Sequence, residues 1–254
     1  MNPNTALKHP VHPSSVFKIR KPFLSRAAVL GWLALAAVCA FQIPANAEIL
    51  WSEKFQNPEK AAARLKTVEE GGSVIFNRGS MFMTAGETGN YEGIRWCSAV
   101  LAPGEIFNDD GEKPVTYQAT VDFSAVSEVT HFTLSARPSA VGTSYKLIRY
   151  WDSAIAYLSL QRDHLGEPDS LLTISNKDVP KLNDRSGPVN MGLRFTNTDE
   201  CVKIEVLFGS KVVGSFEDRN PRRLTHGTTL GVMLMDNGSH KKTDVSVTEI
   251  VVKR

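Results

Sequence analysis

Three neighbouring segments carry the side chains that could do chemistry. In HFTLSAR, residues 131–137, Phe132, Leu134 and Ala136 alternate with His131, Thr133, Ser135 and Arg137. A strand would bury the first set and show the second. In SYKLIRYW, residues 144–151, Tyr145, Arg149 and Trp151 share one side with Leu147. In IAYLSLQRD, residues 155–163, Leu158 and Leu160 point one way and Tyr157, Ser159 and Gln161 the other. Histidine and tyrosine can accept or donate a proton, arginine can hold a developing negative charge, and glutamine can orient an acid group. Abstraction of a proton beside a carboxylate needs that combination. The catalytic candidates are therefore His131, Arg137, Tyr145, Arg149, Tyr157 and Gln161. The candidates for holding a substrate are Trp151, Tyr145, Arg149, His131 and Arg137. The set converges only if the three strands lie in one sheet. Otherwise these residues are the solvated side of half-buried strands, as any sheet with one wet face displays.

Flat rings are the other useful chemistry, because they pair an apolar body with a polar rim. Tyr91, Trp96, Tyr145, Tyr150 and Trp151 are available. Trp96 alternates with Ile94 and reads as core, as does Trp51 in the first strand, whereas Trp151 ends a strand at YWDS and is expected at a rim. No cofactor is called for. Calcium has one candidate turn, NDDGE at 108–112, where Asp109, Asp110 and Glu112 crowd around Gly111. Such acids serve equally well as solvated turn formers. Asn237-Gly238-Ser239 forms a glycosylation sequon. Cys97 and Cys201 either pair in an oxidising compartment or pack separately. With no Cys-x-x-Cys and no Cys/His cluster, metal and redox chemistry find no purchase.

The chain start explains the compartment expected. Residues 1–26 carry Lys8, Lys18, Arg20, Lys21 and Arg26 and no acid. An apolar run, AAVLGWLALAAVCAF, follows, then Ala45-Asn46-Ala47. A basic start, a short apolar core and a small-x-small end describe a signal peptide over 1–47, cleaved after Ala47, and a secreted or periplasmic protein. Val38 before Cys39 is a poor fit to lipoprotein processing. The whole chain carries a formal charge of +2, but removing the five leader cations leaves 24 basic against 27 acidic residues, a net −3. That balance gives no basic face for nucleic acid, and no membrane span is expected in residues 48–254.

Residues 48–254 read as one domain of short strands rich in β-branched and aromatic residues, separated by Gly, Pro, Asn and Asp. VTYQATVDF alternates most strongly, with Val115, Tyr117, Ala119, Val121 and Phe123 on one side. Only NPEKAAARLKTVEE, ending at Gly71-Gly72, has helical character. The fold class expected is all-β: a two-sheet antiparallel β-sandwich of jelly-roll type with one short N-terminal helix.

The order of segments FTLSAR, SYKLIRYW, AYLSLQRDHLGEPDSLLTIS, VKIEVLFGSKVVGSF and GTTLGVMLMDNG with TDVSVTEIVV resembles the concanavalin A-like lectin/glucanase superfamily. More narrowly it resembles the laminin-G-like and 3-keto-disaccharide hydrolase jelly rolls of secreted bacterial proteins. The resemblance implies two antiparallel sheets, the concave one engaging a polysaccharide or other glycan. Glucanases of this architecture set Glu-x-Asp-x-x-Glu on one strand so that period-two spacing brings their acids into one groove. Here the corresponding stretch is Glu167-Pro168-Asp169-Ser170-Leu171-Leu172, with leucine in the last place, which removes that mechanism. The strings typical of alginate lyases are also missing. The expectation is an exported carbohydrate-binding module. The alternatives are a lyase or glycoside hydrolase on the same fold, and a non-catalytic interaction domain of the cell envelope.

Overall fold

The computed structural model describes residues 47–86, 94–127, 129–139, 142–152, 155–236 and 241–254. The leader up to Asn46, Tyr91 and the sequon at 237–239 lie outside the described residues. In chain order the strands are β1 (Ile49–Glu53), β2 (Leu65–Glu70), β3 (Gly72–Asn77), β4 (Ser80–Ala85), β5 (Arg95–Leu101), β6 (Val115–Asp122), β7 (Val129–Ala136) and β8 (Thr143–Asp152). They continue as β9 (Ile155–His164), β10 (Glu167–Ser175), β11 (Pro188–Asn197), β12 (Val202–Phe208), β13 (Lys211–Asp218), β14 (Leu230–Asp236) and β15 (Thr243–Lys253). One helix, α1 (Pro58–Arg64), and a 3-10 turn at Pro180–Asn183 complete the description.

Two antiparallel sheets face each other. The eight-stranded sheet runs β13-β12-β11-β6-β15-β4-β3, with β1 also on β15. The seven-stranded sheet runs β10-β9-β8-β7-β14-β5-β2. This is the all-β sandwich that the alternating strands require, each burying its apolar side between the layers. Strand β6 is the clearest case: Val115, Tyr117, Ala119 and Val121 are fully buried and their neighbours half-exposed. The core continues from β6 into Phe132 and Leu134 of β7, Leu147 of β8, Leu158 of β9 and Leu193 and Phe195 of β11. Phe123 meets Phe132 edge-on with ring centres 5.5 Å apart.

The helix is shorter than its sequence suggests. Asn57 Oδ1 accepts from the Lys60 amide at 2.9 Å and Pro58 opens the first turn, which are ordinary start signals. The helix stops at Arg64, because Leu65–Glu70 pairs with β5 instead and buries Leu65. Strand pairing here outweighs the helix propensity of LKTVEE. Cys97 and Cys201 are both buried and both free. Cys97 contacts the Thr84 carbonyl at 3.4 Å and Cys201 contacts Thr198 Oγ1 at 3.4 Å, so the bridge considered from sequence is not formed. Burial pushes the Cys97 thiol up to about 12, which makes it an inert packing group. Among the described residues no helix is long and apolar enough to cross a membrane.

Candidate functional site

The strands carrying the candidates do share a sheet. β7, β8 and β9 are consecutive neighbours in the seven-stranded layer, paired antiparallel through His131–Tyr150 and Tyr150–Tyr157. β7 and β9 turn their expected sides outward, but β8 does not. Leu147 decides the matter for β8: it packs in the core at 0 % exposure and carries Tyr145, Arg149 and Trp151 inside with it. The opposite side carries Lys146 and Tyr150, both half-exposed, while Ser144 and Ile148 on that same side are covered. Tyr145, Arg149 and Trp151 are therefore not surface residues, and Trp151 lies against Phe123 with ring centres 4.8 Å apart rather than at a rim.

Arg137 is also removed from the face, for a backbone reason. Alternation would place it beside His131 and Ser135, but it follows the last residue of β7 with φ of +51°. That left-handed step breaks the period and turns the side chain inward. Its guanidinium grips Asp109 with Nε to Oδ2 at 2.7 Å and Nη2 to Oδ1 at 3.1 Å, both side chains fully buried. The Tyr117 hydroxyl donates to Asp109 Oδ2 at 2.9 Å, and Arg137 Nη1 donates to the Leu224 carbonyl at 2.8 Å. Its Cζ stacks 4.4 Å from the Phe195 ring. The acidic turn considered for calcium thus has its Asp109 oxygens engaged by an arginine, while Asp110 meets Arg254 at 2.8 Å. No cluster of three His, Cys, Asp or Glu stands ready for a metal among the described residues.

Tyr145 sits in a second buried network. Its hydroxyl donates to Asp218 Oδ2 at 2.6 Å, and Arg162 Nη1 donates to both Asp218 oxygens at 2.7 and 2.8 Å. Burial and the Asp218 charge push the Tyr145 hydroxyl well above its usual range, so it is no proton-transfer group. Arg149 lies between the sheets against Phe123, Trp151 and Phe208, its Cζ 4.3, 4.0 and 4.9 Å from the rings. It donates only to the Leu182 and Asp184 carbonyls, at 2.7 and 3.0 Å.

What remains outside is a different constellation. His131, Tyr157 and Gln161 stay on the solvent face, and the register adds residues that sequence reading set aside. Trp96 pairs with Met235, Met235 with His131, His131 with Tyr150, and Tyr150 with Tyr157. One row therefore crosses five strands as Trp96, Met235, His131, Tyr150 and Tyr157, all half-exposed. At the usual interstrand spacing it spans about 19 Å. Tyr150 and Tyr157 stack with centres 4.6 Å apart and planes 11° from parallel, and His131 meets Tyr150 at 4.1 Å and 66°. Below the row, Gln161 Nε2 donates to the Tyr150 hydroxyl and to Ser159 Oγ, both at 3.3 Å. Lys146 forms an ion pair with Asp163. Burial lowers the His131 pKa below its usual value, against the pull of Asp236 and Asp152. Trp96 was misread as core because Ile94 shares its side; that side is the wet one, and Ile94 is itself exposed. The signal that could have found the row is Leu147, whose side of β8 must be core and whose opposite side must then carry Lys146 and Tyr150.

This arrangement can stack flat apolar surfaces and offer amide and hydroxyl hydrogen bonds. The guanidinium groups that the proton-abstraction reading required are buried elsewhere.

No family model and no curated protein matches the chain. Solved structures do. The CBM2 module of the evolved Dit protein of Lactobacillus casei BL23 phage J-1 is 10 % identical, with a TM-score of 0.56, over 82 % of this chain and 96 % of that one. A legume lectin-like domain from Entamoeba histolytica is 11 % identical, with a TM-score of 0.52, over 82 % and 98 %. A non-specific endo-β-1,3(4)-glucanase of family GH16 is 9 % identical, with a TM-score of 0.56, over 84 % and 93 %. At such identities the likeness concerns the fold alone, and the fold of this chain is the two-sheet antiparallel jelly roll that these structures share.

Proposed function

We propose that the protein is an exported carbohydrate-binding module, with the outer face of the seven-stranded sheet as its platform. The observation that carries this reading is the row Trp96, Met235, His131, Tyr150 and Tyr157. Sugar rings present flat faces of C–H groups that pack on aromatic rings, and their hydroxyls need neighbours such as Gln161 and Ser159. The legume lectin-like domain and the glucanase among the structural neighbours support the same reading by analogy of fold. The leader-like segment over 1–47 supports export.

The test is affinity electrophoresis of residues 48–254 through gels carrying neutral or acidic polysaccharides, with an assay for new chain ends. Retention by at least one polysaccharide is expected, without new ends. Trp96→Ala and Tyr157→Ala should each weaken retention roughly three- to tenfold, as loss of one stacked ring does. Undiminished retention in both variants would place binding elsewhere. New chain ends abolished by His131→Ala would replace the binding module with an enzyme on this face.

A further inference from the structure

A second site lies away from that platform and does not depend on it. Between the 3-10 turn, the start of β11 and the β12–β13 hairpin opens a cleft of about 870 Å³, within the range of small-molecule sites. Its walls mix polar and apolar surface about equally: Val179, Val189, Phe208 and Val212 supply an apolar part, and Lys181 and Lys211 also line it. Neither lysine closes an ion-pair contact among the described residues. The two acids of the lining are turned to local work. Asp178 Oδ2 accepts from the Ser175 amide and hydroxyl at 3.1 and 2.8 Å, and Asp184 Oδ1 from the Ser186 amide and hydroxyl at 2.8 and 2.6 Å.

Directly behind this wall stands Arg149. Its Nη2 is bonded to carbonyls of the segment that lines the cleft, and its guanidinium lies 4.9 Å from the ring of Phe208, which forms part of the lining. The side chain is fully buried; among the described residues no carboxylate closes an ion pair with it and its Nε and Nη1 have no acceptor, the Asp184 carboxylate acting on it only from beyond contact distance. Arg137 and Arg162 are each neutralised by an aspartate at 2.7 Å; Arg149 is not. Arg185, bonded to the Val126 carbonyl at 3.1 Å, adds a further positive charge nearby. A charge in the dry interior acts over a longer range than one in water. Four cations, Lys181, Lys211, Arg149 and Arg185, thus stand in or behind the lining against two carboxylates, Asp178 and Asp184, a local excess of positive charge although residues 48–254 carry net negative charge.

We infer that this cleft is a binding site for an amphiphilic anion, a carboxylate carried on an apolar body, held by Val179, Val189, Phe208 and Val212 and steered by Lys181, Lys211 and the buried Arg149 behind them. Substitution of Arg149 itself risks the fold, so the test uses the lysines. The purified chain is titrated with 2-naphthoate and, separately, with the neutral 2-naphthalenemethanol, and backbone amide shifts are followed. Naphthoate should shift residues 178–190 and 208–213 and leave 131, 150 and 157 unmoved. It should bind at least about tenfold more tightly than the alcohol, and the double variant Lys181→Gln, Lys211→Gln should erase most of that preference while unfolding at the wild-type temperature. Equal binding of acid and alcohol, shifts confined to other parts of the chain, no binding at all, or an unaltered preference in the lysine variant would each overturn the inference.

Discussion

Three arginines of the seven-stranded sheet show how differently one side chain can be accommodated. Arg137 is buried with Asp109, Arg162 is shared between Asp218 and Asp169, and Arg149 rests on rings and carbonyls alone. Removing one partner of a buried pair strands the other in low dielectric, so Arg137→Met should cost about 3–5 kcal/mol in urea unfolding. The double change Arg137→Met, Asp109→Leu should recover a substantial part of that loss. His131 gives a second residue-level prediction. Its folded pKa lies below the unfolded value because burial disfavours the charged ring. Between the two values the unfolded chain binds more protons, so the contribution of His131 to stability is full above the unfolded pKa, near 6.5, and declines as pH falls below it. Side-chain NMR should show an apparent pKa under 6.5, and His131→Gln should flatten the stability profile on the acid side of neutrality. An apparent pKa above 6.5 would mean that Asp152 and Asp236 outweigh burial. Of the residues singled out from sequence, His131, Tyr157 and Gln161 kept their face. Arg137 did not, because one left-handed dihedral reversed it, and such a step leaves little trace when the residue is not glycine.

The elements were legible where one periodicity acted alone. β6 alternates without exception and the structure follows it. β8 mixes polar, aromatic and aliphatic residues on both sides, and there Tyr145, Arg149 and Trp151 outvoted a single leucine in the sequence reading although the leucine was the better guide to the core. LKTVEE looked helical because a strand's partner cannot be seen locally; its partner β5 begins only at Arg95, well downstream in the chain. Two changes test how the elements are held. Asn57→Ala deletes the acceptor for the Lys60 amide and should cost about 1 kcal/mol, read as a lowered unfolding midpoint. Gly192→Ala would place a Cβ 2.6 Å from the Tyr117 carbonyl, across the pairing of β11 with β6. The strands must part to admit it, and a loss of roughly 1–3 kcal/mol is expected in the same measurement. No loss would show that this pair of strands yields more easily than its contacts suggest.

At the scale of the molecule, fold class was readable because many short strands, fifteen among the described residues, need two layers to bury their apolar sides, and the sequence shows that pattern from Ile49 to Lys253. Which residues meet across a sheet was not readable, since strand order joins β5, β14 and β7 from distant parts of the chain. That order brings Trp96 into line with Met235, His131, Tyr150 and Tyr157, and it separates Cys97 from Cys201. The account rests most heavily on this row as a glycan platform. Its most direct test is a chemical-shift map of the isotope-labelled chain titrated with oligosaccharides of whichever polysaccharide retains it. Shifts centred on Trp96, His131, Tyr150, Tyr157 and Gln161, with the cleft at 178–190 undisturbed, are predicted. Shifts centred on any other surface, or none from a panel spanning neutral and acidic chains, would contradict it.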